Sequence, residues 1–202
     1  MATADLFSRL GLFIARDFLD DDVRRTICAE MRAAASEQSA MRTGSGDFGV
    51  NAEFRRSRWA KVSDPTLATV REKLLDAKPD LEKHFAVALR DCEEPQFLLY
   101  TERDFYRPHK DSTSDRHAAE YLRQRRVSVV IFLNQETDEN RPESYSGGAL
   151  TFYGLLDAAP LKGRALRLDG EASLCVGFRS DVTHEVTPVT RGERLTIVSW
   201  FF

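Results

Sequence analysis

The sequence predicts an α+β protein in which N-terminal helices brace an antiparallel jelly roll. Apolar residues recur at helical spacing through much of the first 95 positions. From Gln96 onward, short runs rich in β-branched and aromatic residues take over. Glycine-bearing turn signals, such as Ser146-Gly147-Gly148 and Arg191-Gly192, bound several of those runs. Helices followed by many short strands is the α+β pattern, and the strand-rich half suits a two-sheet jelly roll. With no internal repeat and no dividing linker, 1–202 is expected to form one domain, with 1–95 mainly helical support and 96–202 the core.

The elements follow in order. Asp20, Asp21 and Asp22 place carboxylates at the positive end of a helix, and Val23, Ile27 and Met31 then form a one-sided stripe. Ala33 to Ala35 continue this helix, which dissolves in the polar stretch 36–39. The segment 42–50 (RTGSGDFGV) contains three glycines and reads as a loop or bulged connection. A second helix opens at Ser63-Asp64-Pro65, a cap followed by proline in the first turn, and runs through Leu67, Val70, Leu74 and Leu75. Pro79 is expected to break it and start another helix carrying Leu81, Phe85 and Leu89. The strongest strand runs are 97–101, 126–133, 149–153, 173–178 and 194–202, interrupted by polar stretches at 112–124 and 135–146.

Composition excludes several functions. The chain carries 29 Lys and Arg against 32 Asp and Glu, a net charge of −3, so no basic field invites nucleic acid or an anionic membrane. No apolar run approaches the roughly 18 residues that a membrane span needs. The start, MATADLFSRLGLFIARDF, lacks the basic and apolar regions of a secretion signal, so a cytoplasmic location is expected. Cys28, Cys92 and Cys175 are widely spaced and read as reduced thiols, neither a disulfide framework nor a zinc site.

The chemistry gathers at Tyr106-Arg107-Pro108-His109-Lys110-Asp111 and at His184. On extended backbone His109 and Asp111 project to the same face, so both can reach one metal. His184 is the best third ligand, completing a facial triad that leaves open positions on an octahedral ion, as in non-haem Fe(II) oxygenases. A lone His-x-Asp also arises by chance. His84, in a helical stretch, and His117, in a charged loop, are expected to be inert. Arg194 lies ten residues past His184 on the last strand. Alternation there puts Arg194, Thr196, Val198 and Trp200 on one face and Leu195, Ile197, Ser199 and Phe201 on the other. A buried guanidinium needs an anion, and its planar fork suits a carboxylate. On position alone, Arg194 reads first as a surface salt bridge to Glu193 or Glu185. Tyr100, on the preceding strand, is either a second donor to that anion or an ordinary core tyrosine.

Taken together, the block from Tyr100 to Asp111, the run VSVVIFLN at 127–134, Gly147-Gly148-Ala149-Leu150, and His184-Glu185-Val186 through Gly192-Glu193-Arg194 to Trp200 resemble the 2-oxoglutarate- and Fe(II)-dependent oxygenases, in their prolyl-hydroxylase-like branch. The resemblance spans about 96–202 and implies a double-stranded β-helix with N-terminal supporting helices. It implies Fe(II) held by His109, Asp111 and His184, with 2-oxoglutarate anchored by Arg194 and Tyr100. It further implies O₂ as oxidant, ascorbate as reductant, and decarboxylation of 2-oxoglutarate to succinate and CO₂ coupled to hydroxylation of a C–H bond. Related halogenases lack the carboxylate ligand, so Asp111 favours hydroxylation. The expected substrate is a prolyl or related amino-acid-type group, in a protein or peptide or as a small molecule. The loop 112–124 reads either as a lid, with Tyr121 and Arg116 meeting substrate around a helical turn at 116–122, or as a solvated connection. The alternative function is a non-catalytic or sensory, cupin-like metal-binding jelly roll.

Overall fold

The computed structural model describes residues 2–34, 36–38, 41–42, 48–49, 53–139, 141–156 and 162–202. Helix α1 (Ala2–Arg9) leads into strand β1 (Phe13–Ala15), and α2 (Asp21–Ala33) follows. Asp20 has the extended backbone of an N-cap but makes no side-chain cap bond, so the carboxylates of Asp21 and Asp22 act on the first turn through charge alone. The expected stripe is buried: Ile27 and Met31 are core residues and Val23 packs against them. Strands β2 (Ser36–Gln38), β3 (Met41–Arg42), β4 (Phe48–Gly49), β5 (Arg55–Arg56) and β6 (Arg58–Ala60) follow. The ends of the glycine-rich stretch 42–50 are therefore paired, Met41 with Gly49 and Arg42 with Phe48. Residues 43–47 and 50 of that stretch lie outside the described residues.

Helix α3 (Asp64–Phe85) starts as its sequence predicts, with the Ser63 hydroxyl accepting from the Thr66 N–H and proline in the first turn. The predicted break at Pro79 does not occur, and the helix continues through it. Proline forfeits one backbone hydrogen bond, but Val70, Leu74 and Leu81 bury one continuous face on either side of it and hold the helix together. The end comes at Ala86, in left-handed backbone with φ 50°, so Leu89 packs into the core from beyond the helix.

The second half supplies β7 (Gln96–Tyr100), β8 (Phe105–His109), the short α4 (Glu120–Gln124), β9 (Val127–Phe132), β10 (Ser146–Gly147), β11 (Leu150–Phe152), β12 (Leu166–Leu168), β13 (Cys175–Arg179), β14 (His184–Val186), β15 (Val189–Arg191) and β16 (Arg194–Phe201). A seven-stranded sheet runs β1-β13-β9-β16-β7-β6-β2 and a five-stranded sheet runs β12-β11-β14-β8-β5, with β10-β15 and β3-β4 as small ladders. This is the expected α+β jelly roll. The first 95 residues do more than support it, because β1, β2 and β6 extend one sheet and β5 extends the other.

Alternation decides what each face of the larger sheet meets. Leu195, Ile197, Phe97, Leu99, Val127, Val129 and Ile131 pack with residues of α2 and α3 in the main core. The opposite face, with Val130, Phe132, Val176 and Phe178, packs on Leu150, Phe152 and Leu168 of the smaller sheet. Cys28, Cys92 and Cys175 are all free and buried. Among the described residues, no helix is long and apolar enough to cross a membrane.

Candidate active site

Between the sheets lies a cavity of about 600 Å³, and the predicted face of β16 forms one wall: Arg194, Thr196, Val198 and Trp200 all line it. His109, Asp111 and His184 line the same cavity, each offering a ligand atom within 4.8 Å of the other two. Local structure explains how they meet. His184 on β14 pairs directly with His109 on β8, and Val186 pairs with Tyr106. Three steps along β8 thus match two along β14, a β-bulge that brings Tyr106 onto the same inward face as His109. Pro108, which has no N–H to give, occupies the bulged stretch. Just past β8, the Asp111 N–H donates to the Ser180 carbonyl at 2.9 Å, fixing its carboxylate between the two imidazoles. The Nε2 atoms of His109 and His184 lie 3.5 and 3.6 Å from the two Asp111 oxygens.

The outer nitrogens fix the tautomers. His109 Nδ1 is 2.8 Å from the Arg107 carbonyl and His184 Nδ1 is 3.0 Å from the Val182 carbonyl. A carbonyl only accepts, so each Nδ1 carries the proton and each Nε2 presents its lone pair inward, as a metal ligand requires. Burial alone would raise the Asp111 carboxyl, but the two histidines when protonated, together with a hydrogen bond from Ser128, hold it well below the ordinary carboxylate range. Burial also lowers His184, favouring the neutral form that binds a metal. Two neutral imidazoles and one ionised carboxylate on a single face form a donor set that fits a divalent ion with positions to spare.

Arg194 is 1% exposed and forms no ion pair with Glu193 or Glu185: Glu193 pairs with Arg32, and Glu185 bonds Tyr153. Its Nη1 reaches Thr196 Oγ1 at 3.1 Å, while Nε and Nη2 have no partner. Tyr100 sits directly opposite on β7, its ring centroid 5.1 Å from the guanidinium carbon. A buried guanidinium with unanswered donors in a cavity is a site for an anion.

Three further residues take roles that the sequence does not signal. The buried Tyr145 hydroxyl also lacks a partner, and burial holds it far above the ordinary phenol range, with Arg194 opposing the shift. Gly170 leaves it room, since a Cβ there would overlap that hydroxyl. Arg125 makes a double ion pair with Glu93 at 2.6 and 2.7 Å, stacks 3.7 Å from the Trp200 ring centroid, and donates to the Asp111 carbonyl. Tyr106 stacks on His109 with centroids 3.5 Å apart; burial pushes its phenol up to about 12, with Arg55 opposing the shift. Neither Tyr145 nor Glu93 belongs to a recognisable motif, and only the tertiary pairing reveals them.

The loop residues divide. Tyr121 lines the cavity, whereas Arg116 is exposed and does not. The helical turn falls at Glu120–Gln124, later than the expected 116–122, since a turn in which the His117 and Ala118 N–H groups donate to Asp115 occupies the earlier positions. His117 is exposed, and His84 packs against Phe13 and Phe85; neither is near the cavity.

Comparison with known proteins gives a consistent result. Residues 95–202 match the sequence profile of the 2OG-Fe(II) oxygenase superfamily. A PKHD-type hydroxylase of Hyphomonas neptunium is 29% identical over 198 residues, covering 94% of this chain and 77% of that protein. Other PKHD-type hydroxylases match over 61% and 63% of their length, so the chain spans less than two thirds of them. Among solved structures, a Pseudomonas putida prolyl-4-hydroxylase superposes with a TM-score of 0.65 at 27% identity, over 99% of this chain and 96% of that one. A Trichoplax adhaerens prolyl hydroxylase, solved with a hypoxia inducible factor peptide, shares the fold with a TM-score of 0.69 at 17% identity, over 98% of this chain and 86% of that one.

Proposed function

The chain belongs to the 2OG-Fe(II) oxygenase superfamily, and from that membership we propose that it hydroxylates a C–H bond of a prolyl or related amino-acid-type substrate while converting 2-oxoglutarate to succinate and CO₂. One observation carries the reading: a His-Asp-His donor set and a buried guanidinium with two unanswered donors share one cavity. A cupin-like metal-binding protein without a keto-acid cosubstrate has no use for that guanidinium, whose burial is costly unless an anion meets it.

In this reading His109, Asp111 and His184 hold Fe(II). Fe(II) held there would supply the oxidising chemistry with O₂ and 2-oxoglutarate, with ascorbate as the reductant. The protein's residues do the rest. Arg194, with Tyr100 beside it, binds the distal carboxylate of 2-oxoglutarate and fixes its orientation. The Arg107 and Val182 carbonyls keep both imidazoles in the ligand tautomer. Leu98, Val130, Leu150, Val186 and Val198 give the cavity an apolar lining that limits water. Arg125, bound to Glu93 and to the Asp111 carbonyl, steadies the turn that carries Asp111. Tyr121 closes part of the mouth. The three free, buried thiols suit the expected cytoplasmic setting.

The test is anaerobic addition of Fe(II) and then 2-oxoglutarate. The expected result is the weak visible charge-transfer band of a chelated keto acid, followed by succinate formation on admitting O₂. A protein that binds the metal but gives neither signal would return the cupin-like reading.

A further inference from the structure

Charge in the cavity is unevenly answered. Among the described residues, its lining carries four cations (Arg55, Lys110, Arg125 and Arg194) against two carboxylates, Glu93 and Asp111. Glu93 is engaged by Arg125, and Asp111 lies between the two histidines. Arg194 closes the inner end, where the proposed cosubstrate binds. A divalent metal and doubly negative 2-oxoglutarate would cancel, leaving Arg55 and Lys110 at the mouth. Among the described residues, neither forms an ion pair with a carboxylate.

Arg55 is held in a fixed pose. Its backbone pairs with Tyr106 at the edge of the smaller sheet, and its Nε donates to Ser57 Oγ at 2.8 Å. Its guanidinium carbon lies 4.7 Å from the centroid of the Tyr106 ring, and that ring stacks on His109 at 3.5 Å with an interplanar angle of 17°. One aromatic ring therefore separates the guanidinium from the donor set. Among the described residues, the terminal nitrogens meet no acceptor, and they form a preorganised fork suited to a carboxylate. Any substrate that covers the mouth strips water from Arg55 and Lys110. A neutral substrate leaves both charges desolvated and unanswered, whereas an anionic one compensates them.

We infer that the substrate carries a carboxylate that binds Arg55, roughly one to two residues' length from the carbon presented to the metal. Lys110 adds attraction at the rim. The inference rests on the oxygenase reading and narrows it to acidic substrates. The carboxylate can come from the α-carboxyl of a free amino acid or from an Asp or Glu side chain in a peptide.

Calorimetric binding to the anaerobic Fe(II)- and 2-oxoglutarate-loaded protein tests the inference with matched probes. One arm compares L-proline with L-prolinamide. The other compares capped pentapeptides containing one proline, with Asp or Asn at each flanking position. The acid is expected to bind at least tenfold tighter than its amide in one arm, and that arm identifies the source. Arg55→Gln should abolish the discrimination and Arg55→Lys should keep part of it, in proteins whose thermal unfolding matches the parent. Equal affinity within every pair, binding by none of the probes, or discrimination surviving in Arg55→Gln overturns the inference. Succinate formation by the unmodified protein without any probe reports separately on the oxygenase reading.

Discussion

Replacing Arg194 with methionine should move stability and cosubstrate binding in opposite directions. The side chain is 1% exposed, makes one hydrogen bond to Thr196 and leaves Nε and Nη2 unanswered. Each orphaned buried donor costs about 1–3 kcal/mol. Arg194→Met removes both donors and the buried charge, keeps most of the volume, and sacrifices one hydrogen bond of about 1 kcal/mol. The ligand-free protein should therefore gain about 1–5 kcal/mol, or roughly 2–20 °C in Tm for a chain of this size. Binding should weaken, because a buried carboxylate loses a charge-assisted partner worth about 2–5 kcal/mol. That corresponds to an affinity loss of about 30-fold to several thousandfold. Thermal unfolding of the metal-free protein gives the first number, and anaerobic titration of the Fe(II)-loaded protein with 2-oxoglutarate gives the second. A lower Tm together with unchanged 2-oxoglutarate affinity would show that Arg194 is there for packing, and the anchor assignment would fall.

Other expectations follow from the same geometry. His109→Ala, Asp111→Ala and His184→Ala should each reduce bound iron to a small fraction of one per chain, measured by elemental analysis after desalting; full loading in Asp111→Ala would remove that residue from the donor set. Iron retention should fall as the pH drops below about 6.5, because protons compete for imidazole. The Asp111 carboxylate is held below its usual range, so the loss should track the imidazoles alone and deepen steadily with further acid. Gly170→Ala would force a methyl into the Tyr145 hydroxyl and to 2.7 Å from the Phe132 ring, costing about 1–3 kcal/mol. Tyr145→Phe should restore part of that loss in the double variant, and purely additive unfolding energies would refute the contact. Arg125→Leu strands the Glu93 carboxylate and should lower stability by about 2–4 kcal/mol, read by denaturant unfolding.

Most of the site is legible in the sequence because its logic is periodic. Two-residue alternation along the last strand assigns Arg194, Thr196, Val198 and Trp200 to one face, and the cavity lies on that face. His109 and Asp111 follow from the same rule. What alternation cannot convey is register between strands distant in sequence. The bulge that turns Tyr106 inward exists only in the pairing of β8 with β14. Glu93 lies in no regular element, and Tyr145 lies in a polar stretch; tertiary contacts bring them to Arg125 and Arg194. Proline misleads for a related reason. The local penalty at Pro79 is real, but apolar burial on both sides of it outweighs one lost hydrogen bond. The N-terminal strands, two or three residues long, are too short to show any period.

Strand β16 builds the main core with one set of side chains and the cavity wall with the other. Deleting a single residue from it would exchange the two sets, pointing Arg194 at the helices and Leu195 into the cavity. Foldedness and chemistry are thus inherited together along this strand, and neither can drift without the other. The rim is free of this bond. The two-residue β5 edge and the short α4 answer to no such alternation in the core, so side chains there can be exchanged one at a time. A lineage acquiring new substrates would change at the rim while β16 stayed fixed, and a laboratory library aimed at specificity should be built the same way.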